Sequence, residues 1–158
     1  MCKYVRTFVL FFLALAVSPH WSVQAADQSP KAVALEMVDA WNTLDLDRMI
    51  DMFAEDGVLH SVMVDPIVGR EDLRAHLAPL LVGVTKLELK LKNVVVSGNT
   101  VFLERVDEFD INGSHGAVPV VGVMEIENGK VKEWREYYDR ATLLSEMGIA
   151  PAAQDGGH

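Results

Sequence analysis

The fold is decided by residues 86–139, KLELKLKNVVVSGNTVFLERVDEFDINGSHGAVPVVGVMEIENGKVKEWREYYD. Apolar and polar residues alternate along this stretch, starting with Leu87, Leu89 and Leu91, and a period of two is typical of strands with one buried face. Turn signals divide the alternation at Ser97-Gly98-Asn99, Asn112-Gly113 and Asn128-Gly129. The stretch therefore predicts antiparallel strands over Thr85–Val96, Val101–Asp110, Ala117–Glu127 and Val131–Tyr138.

The residues on either side of this stretch have the apolar spacing of amphipathic helices. Helices are predicted over Lys31–Thr43, Leu46–Ala54 (capped by Asp45), Arg70–Leu81 and Ala141–Met147, with an extended segment at Val58–Val64. Helices that precede an antiparallel sheet predict an α+β fold in which the helices cover one face of a curved sheet. A pocket between the two layers is then the expected site.

The composition limits the classes of function. Of the 158 residues, 50% are hydrophobic, which allows a packed core and excludes global disorder. The chain has 23 acidic and 14 basic residues, and its net charge of −9 argues against nucleic acid or an anionic membrane surface as the main partner. Cys2 is the single cysteine, which excludes a disulfide framework and a cysteine-rich metal site. We therefore expect one small domain that acts on a small molecule.

Residues 1–25 have the pattern of a secretory signal peptide. Lys3 and Arg6 supply the positive charge, and the apolar run Phe8–Val17 is short for a membrane span, which takes roughly 20 residues. Cleavage is predicted before Ala26, and an uncleaved N-terminal anchor is the alternative interpretation. We expect export to the periplasm or secretion, with no stable membrane association once the signal is removed.

The remaining residues, 26–158, are predicted to form a single domain with its core in residues 32–149. No internal repeat, low-complexity tract or linker interrupts this region, and only its two ends are loose in composition. Because Cys2 is removed with the signal, catalysis by a thiol is excluded from the processed chain.

Charged residues occupy positions of the strand pattern where core residues are expected. Along Val101–Asp110, the charged residues Arg105 and Asp107 share one face with the apolar Leu103 and Phe109. The alternation therefore places an arginine and an aspartate on the more apolar side of this strand.

The last predicted strand has the same feature. Trp134 and Tyr138 flank Glu136 on one face, whereas Val131 falls on the opposite face, which is expected to contact water. Since an unpaired buried charge is costly, we expect Glu136 to pair with Arg105 in one cavity.

Two interpretations of this cluster remain open from the residues alone. Two carboxyl groups in different surroundings can divide the roles of general acid and general base, one protonated in an apolar setting and one ionised beside Arg105. Alternatively, Arg105, Asp107 and Glu136 form a buried ion-pair network that only holds the strands in register.

Other polar residues carry weaker signals. His60 and His76 have no partner at metal-ligand spacing, and His76 is expected to be solvated on its helix. Ser114 and His115 lie in a hairpin and lack the strand–turn–helix context of a nucleophile elbow. Trp41 is expected in the core, and the sequence has no phosphate loop, dinucleotide fingerprint or metal motif.

Several motifs, taken together, point to a known family. They are Phe53-Ala54-Glu55-Asp56, Gly69-Arg70, Glu104-Arg105-Val106-Asp107, Gly122-Val123 and Gly129-Lys130-Val131-Lys132-Glu133-Trp134-Arg135-Glu136-Tyr137-Tyr138-Asp139. Over residues 32–149 the chain resembles the limonene-1,2-epoxide hydrolase family, part of the cystatin-like (NTF2-like, SnoaL-like) α+β superfamily. The resemblance implies a cone in which N-terminal helices pack on a curved, mostly antiparallel six-stranded sheet around a deep pocket, with a homodimeric assembly.

The resemblance also implies a function, the hydrolysis of an epoxide on a small hydrophobic molecule to a vicinal diol in one step, without a metal or organic cofactor. By position, Asp107 would be the general acid, Arg105 the bridging residue, and Glu136 would replace the aspartate that acts as base. The residues predicted to contact substrate are Leu59, Ser61, Leu103, Phe109, Trp134 and Tyr138.

The chain departs from the family pattern at three positions. Glu136 is one methylene longer than the family's aspartate, and Leu59 and Ser61 stand where the family has a tyrosine and an asparagine that position the water. Two alternatives therefore stay open: an isomerase or cyclase of the same fold, which needs no positioned water, and a non-catalytic binding domain for a small hydrophobic ligand. Fold alone does not choose among these functions.

Overall fold

The computed structural model describes residues 29–149, so the predicted signal peptide and its cleavage point lie outside the described residues. The helices are α1 (Pro30–Asn42), α2 (Leu46–Met52), α3 (Arg70–Leu80) and α4 (Arg140–Glu146). The strands are β1 (Phe53–Ser61), β2 (Ile67–Val68), β3 (Val84–Ser97), β4 (Thr100–Ile111), β5 (Ser114–Glu127) and β6 (Lys130–Tyr138). In the part of the chain that the structure describes, no helix is long and apolar enough to cross a membrane.

The six strands form one curved, unclosed sheet in the order β2-β1-β6-β5-β4-β3. Strands β3 to β6 follow one another as antiparallel hairpins, whereas β1 lies beside β6 in the parallel direction. Helix α1 packs against the sheet, and α3 packs against β1. This architecture confirms the predicted α+β fold, with helices on a mostly antiparallel six-stranded sheet.

The two Asn-Gly turn signals close tight hairpins. Asn112 and Gly113 have φ angles of 50° and 83°, and Asn128 and Gly129 have φ angles of 50° and 72°. Positive φ at both central residues is the type I′ geometry, which asparagine and glycine adopt with the least strain. The turn residues therefore help to set the registers between β4, β5 and β6.

Short polar side chains cap the N-termini of α1, α2 and α4. Ser29 Oγ accepts a hydrogen bond from the backbone N–H of Ala32 at 3.3 Å, and Asp45 Oδ1 accepts one from Arg48 at 3.0 Å. Asp139 caps α4 in the same way. The structure confirms the four predicted helices, with ends that differ by one or two residues.

Strand β1 begins earlier than the extended segment predicted at Val58–Val64. The chain changes from helix to strand at Phe53, whose backbone has φ −73° and ψ 152° and pairs with Val131 on β6. Arg70 stabilises this change because its Nε donates to the carbonyl oxygen of Phe53 at 2.9 Å. The helix predicted over Leu46–Ala54 is thus two residues too long, since a tertiary contact favours the strand.

Val131 is fully buried, although the alternation placed it on the face that contacts water. The cause is a bulge: Glu125 pairs with Glu133 and Ile126 pairs with Val131, so Lys132 is an extra residue in β6. Because side chains alternate between the two faces of a strand, one extra residue moves the residues before it, here Val131, to the opposite face of the sheet. Strand β2 also had no sequence signal, because two residues are too few to show an alternation.

The core lies between α1 and the face of the sheet that it covers. Asn42 near the end of α1 accepts a hydrogen bond from the backbone N–H of Leu89 on β3 at 2.7 Å. The ring of Trp41 packs edge-on against Trp134 of β6, with 5.8 Å between the ring centroids. Trp41 marks the edge of the core on this face, and the part of the sheet that α1 does not cover lines a cavity.

Candidate active site

The strand registers bring the inward-facing charged residues together. Glu136 on β6 pairs with Gly122 on β5 and with Ser61 on β1, so the three residues form one row across the sheet. Arg105 on β4 lies in the neighbouring row, opposite Val120 of β5. Because β5 separates β4 from β6 and has a glycine in the row of Glu136, the Arg105 side chain can cross β5 and reach Glu136.

Arg105 connects two carboxyl groups. Its Nε donates to Asp107 Oδ1 at 2.7 Å and its Nη2 to Asp107 Oδ2 at 3.0 Å, while Nη2 also donates to Glu136 Oε2 at 2.5 Å. The Arg105 side chain is only 3% exposed, and its guanidinium lies 5.5 Å from the ring centroid of Trp134. The cluster predicted from the strand alternation therefore exists as a buried, hydrogen-bonded unit.

Burial changes the proton affinity of this cluster. Loss of solvation raises the pKa of Glu136 to about 7, although the nearby Arg105 opposes the rise. The same loss of solvation raises the pKa of Asp107, again against the attraction of Arg105. Burial disfavours the charge of Arg105, but its two carboxylates outweigh this and raise its pKa. The arginine therefore stays charged, and Glu136 can exchange a proton near neutral pH.

The cluster borders a cavity of about 410 Å³. Helices α3 and α4 supply part of its wall, and the sheet supplies the rest. Apolar residues of the wall include Trp41, Leu77, Leu89, Val118, Leu143 and Met147. A cavity of this size, mainly apolar and with a few convergent polar groups, has the usual form of a small-molecule site.

Five of the six residues predicted to contact substrate line this cavity: Leu59, Ser61, Phe109, Trp134 and Tyr138. Leu103 does not line the cavity, so its prediction as a substrate contact is wrong. Its side chain is fully buried and belongs to the same core cluster as the buried face of α1. The inward face of β4 is thus divided, with Leu103 in the core and the cavity starting at Arg105.

Two hydroxyl groups lie next to the carboxyl cluster. Tyr138 Oη donates to Ser61 Oγ at 3.1 Å, and Ser61 is the residue beside Glu136 in the sheet. Leu59, two residues earlier, adds only apolar surface because its side chain has no hydrogen-bonding atom. The early strand therefore supplies one polar group to the cavity, not two.

Polar residues that were not predicted as site residues also reach the cavity: Asp65, His76 and Arg140. His76 is exposed as expected, and it borders the cavity because α3 forms part of the wall. His60 faces the other side of the sheet, since both of its strand neighbours line the cavity. Within residues 29–149, no three histidine, cysteine or acidic side chains are grouped so that they could hold a metal ion.

Comparison with known proteins identifies the family. A family model described as a SnoaL-like domain matches residues 34–134. The chain belongs to the SnoaL-like family. The matched part of this SnoaL-like chain includes Arg105 and Asp107 and ends two residues before Glu136. The SnoaL-like part of the resemblance predicted from the sequence motifs is thereby confirmed.

A named relative has an assigned activity. The SnoaL-like chain is 32% identical over 116 residues to the epoxide hydrolase LasB of Streptomyces lasalocidi. The aligned part covers 70% of this chain and 41% of LasB, so the chain spans less than half the length of that relative.

Solved structures share the fold at lower identity. An LEH-like epoxide hydrolase of M. tuberculosis has a TM-score of 0.66 and 23% identity, covering 75% of this chain and 88% of that chain. A Catenulispora acidiphila protein with a ketosteroid isomerase-like fold has a TM-score of 0.67 and 19% identity, covering 77% and 95%. Both neighbours are less than 25% identical to this SnoaL-like chain, so they show its fold and do not select its reaction.

Proposed function

We propose that this protein hydrolyses an epoxide on a small hydrophobic molecule to a vicinal diol. The observation that carries the proposal is the bridge of Arg105 between Asp107 and Glu136 at the wall of a mainly apolar cavity. Burial raises the pKa of both carboxyl groups, that of Glu136 to about 7, so the pair can hold one proton and serve as acid and base. The similarity to an epoxide hydrolase supports the proposal.

In the proposed reaction a water molecule attacks one carbon of the epoxide ring. Glu136 as carboxylate takes a proton from the water while the new C–O bond forms. The ring C–O bond breaks, and protonated Asp107 gives its proton to the departing oxygen. Both hydroxyl groups remain on the product, and no bond forms between substrate and protein. Arg105 is hydrogen-bonded to both carboxyls, so it stabilises the negative charge on whichever one is ionised.

The charges of the cluster favour an uncharged substrate. Arg105 contributes one positive charge, and the pair Asp107 and Glu136 contributes one negative charge when it holds a single proton. The site is then close to neutral, and most of the remaining wall is apolar. An epoxide with a largely apolar body matches both properties, because its ring oxygen is the atom that needs a polar partner.

Labelled solvent gives the direct test of this proposal. The purified protein is incubated with a panel of cyclic and aromatic epoxides in water that carries heavy oxygen, and the products are identified by mass spectrometry. We expect a diol with one labelled oxygen, because the attacking atom comes from solvent. Heat-denatured protein measures uncatalysed hydrolysis. No diol above this background from any epoxide would overturn the proposal.

An isomerase of the same fold is the second candidate, and Leu59 favours it. This side chain cannot hydrogen-bond to a water, and a reaction that only moves a proton within the substrate needs no bound water. In the same assay an isomerase would give a rearranged product of unchanged mass, without labelled oxygen. The isotope content therefore separates the two reactions.

The rate of diol formation is expected to have a bell-shaped pH profile. The active form contains one proton on the carboxyl pair, whose upper titration lies near the pKa of Glu136, about 7. Above this pH the last proton is lost, and kcat/KM should fall about tenfold per pH unit. At lower pH a second proton binds to the pair and removes the base. A kcat/KM that stays level from roughly pH 6 to 9 would contradict this assignment.

A further inference from the structure

Three polar side chains of the site pack onto the backbone of Gly122. A Cβ atom added at Gly122 would lie 3.0 Å from Glu136 Oε1, 2.8 Å from Trp134 Nε1 and closer still to Nη1 of Arg105. Real Cβ atoms essentially never lie closer than 3.0 Å to other atoms of this kind. The space above Gly122 is therefore filled by these three atoms, and a residue with a side chain would displace them.

The same three atoms are buried and have no hydrogen-bond partner among residues 29–149. Nη1 of Arg105 and Nε1 of Trp134 are donors, and Oε1 of Glu136 is an acceptor when its carboxyl is ionised. Buried polar atoms are rarely left unpaired in native proteins. Nη1 of Arg105 and Nε1 of Trp134 both lie beside Oε1 of Glu136 over Gly122. Two donors next to one carboxyl oxygen favour the ionised form of Glu136.

We propose that Gly122 and Trp134 are positioning residues that hold Glu136 as an ionised base with one defined oxygen toward the cavity. Oε1 lies against Gly122 beside the indole N–H, while Oε2 accepts from Arg105 at 2.5 Å. The Glu136 side chain is 10% exposed, and Oε1 is not part of that exposed fraction. Since Oε1 is buried, Oε2 is the carboxyl oxygen left to face the cavity that Glu136 lines.

This arrangement also explains how the longer side chain of Glu136 fits the site. The extra methylene needs room, and the missing side chain at Gly122 lets the carboxyl group lie directly on β5. Burial raises the pKa of Glu136, and the charge of Arg105, its hydrogen bond and the nearby indole N–H of Trp134 oppose that rise. The inference deepens the proposed function and rests on it for the role of Glu136 as base.

A titration of Glu136 tests the inference without any substrate. Carboxyl carbons of glutamate are isotope-labelled, the Glu136 signal is assigned from its loss in Glu136→Gln, and its chemical shift is followed against pH. In Trp134→Phe, which keeps a ring and removes the indole N–H, the apparent pKa of Glu136 should rise by about one unit. The other titratable or charged groups of the cluster and cavity wall keep their places in this variant: Asp65, His76, Arg105, Asp107, Tyr138 and Arg140.

Trp41→Phe is the matched control for the titration. It also removes a buried indole N–H without a partner, from a ring that packs on Trp134, but this nitrogen is not one of the three atoms above Gly122. The pKa of Glu136 should stay where it is in this variant. An unchanged pKa in Trp134→Phe, or an equal rise in both variants, would overturn the inference.

Gly122→Ala tests the second positioning residue. The added methyl group must push Arg105 or Glu136 aside, and a displacement of about 1 Å should lower kcat for diol formation roughly a hundredfold. Val121→Ala, on the exposed face of the same strand, should keep the rate of the parent protein. A folded Gly122→Ala protein with parental kcat would overturn this part. If the parent protein makes no diol, the proposed function fails, and the titration of Glu136 still decides whether Trp134 positions the carboxyl.

Discussion

Replacing Asp107 by asparagine is expected to lower the rate of diol formation by roughly 10²–10⁴-fold while leaving the protein folded. Asparagine has nearly the same shape and keeps an oxygen that can accept from Arg105, but it carries no acidic proton for the departing epoxide oxygen. Arg105 also retains its bond to Glu136, so the buried guanidinium is still paired. Steady-state rates and thermal unfolding of the variant measure the two effects separately.

Asp110→Asn is the matched control for this change. Asp110 lies three residues later on the same strand, and its Oδ1 is 2.8 Å from Nδ1 of His115 at the surface, away from the cavity wall. Its replacement should leave kcat and KM within about twofold of the parent, as expected for a surface position. If Asp107→Asn retains parental activity, Asp107 is not the acid and the proposed mechanism is wrong. If it loses only thermal stability, the cluster has a structural role.

Replacing Arg105 by methionine is expected to destabilise the folded protein by about 3–5 kcal/mol at about pH 8. Methionine fills similar volume, but Asp107 and Glu136 lose their shared cation while they remain buried. The loss should depend on pH, because burial raises the pKa of Glu136 to about 7 even with Arg105 present, and removal of the guanidinium raises it further. A carboxyl with a raised pKa favours folding at low pH and loses this contribution as the pH rises through its folded-state pKa.

The difference between parent and Arg105→Met should therefore shrink at about pH 5, where Glu136 of the variant is neutral, and widen above pH 7. Urea denaturation at both pH values gives the free energies of unfolding. Arg135→Met is the control: this arginine pairs with Glu125 at 2.9 Å and with Glu133 on the other face of the sheet. Its loss should cost about 1 kcal/mol or less at either pH. Equal costs at the two arginines would show that burial does not set the energy of the cluster.

Much of the fold could be predicted because its signals are local. The alternation at Leu87, Leu89 and Leu91 and the turns at Asn112 and Asn128 depend on neighbours within a few residues. Such patterns survive in any tertiary context that buries one face of the sheet. The end of the second helix failed as a prediction, since Arg70 from a distant helix stabilises the strand conformation at Phe53.

The cluster of Arg105, Asp107 and Glu136 could also be predicted from the sequence. Alternation assigns Arg105 and Asp107 to one face, and the cost of an unpaired buried charge brings Glu136 to them. Two other expectations from the sequence stay predictions: the signal peptide in residues 1–25, with the export that it implies, and the homodimer.

The sequence by itself determined that β3 to β6 form, where the hairpins between them turn and that Arg105, Asp107 and Glu136 face inward, because each of these follows from periodicity and turn chemistry. Tertiary structure alone decided that Leu103 lies in the core and that Val131 is buried. It also decided that three polar side chains pack over the backbone of Gly122. The physical reason is that the border of the cavity depends on where a distant helix ends on the sheet. The role of a glycine likewise depends on the side-chain atoms that neighbouring strands place over it. Neither the border of the cavity nor the role of Gly122 can be predicted from a local sequence pattern.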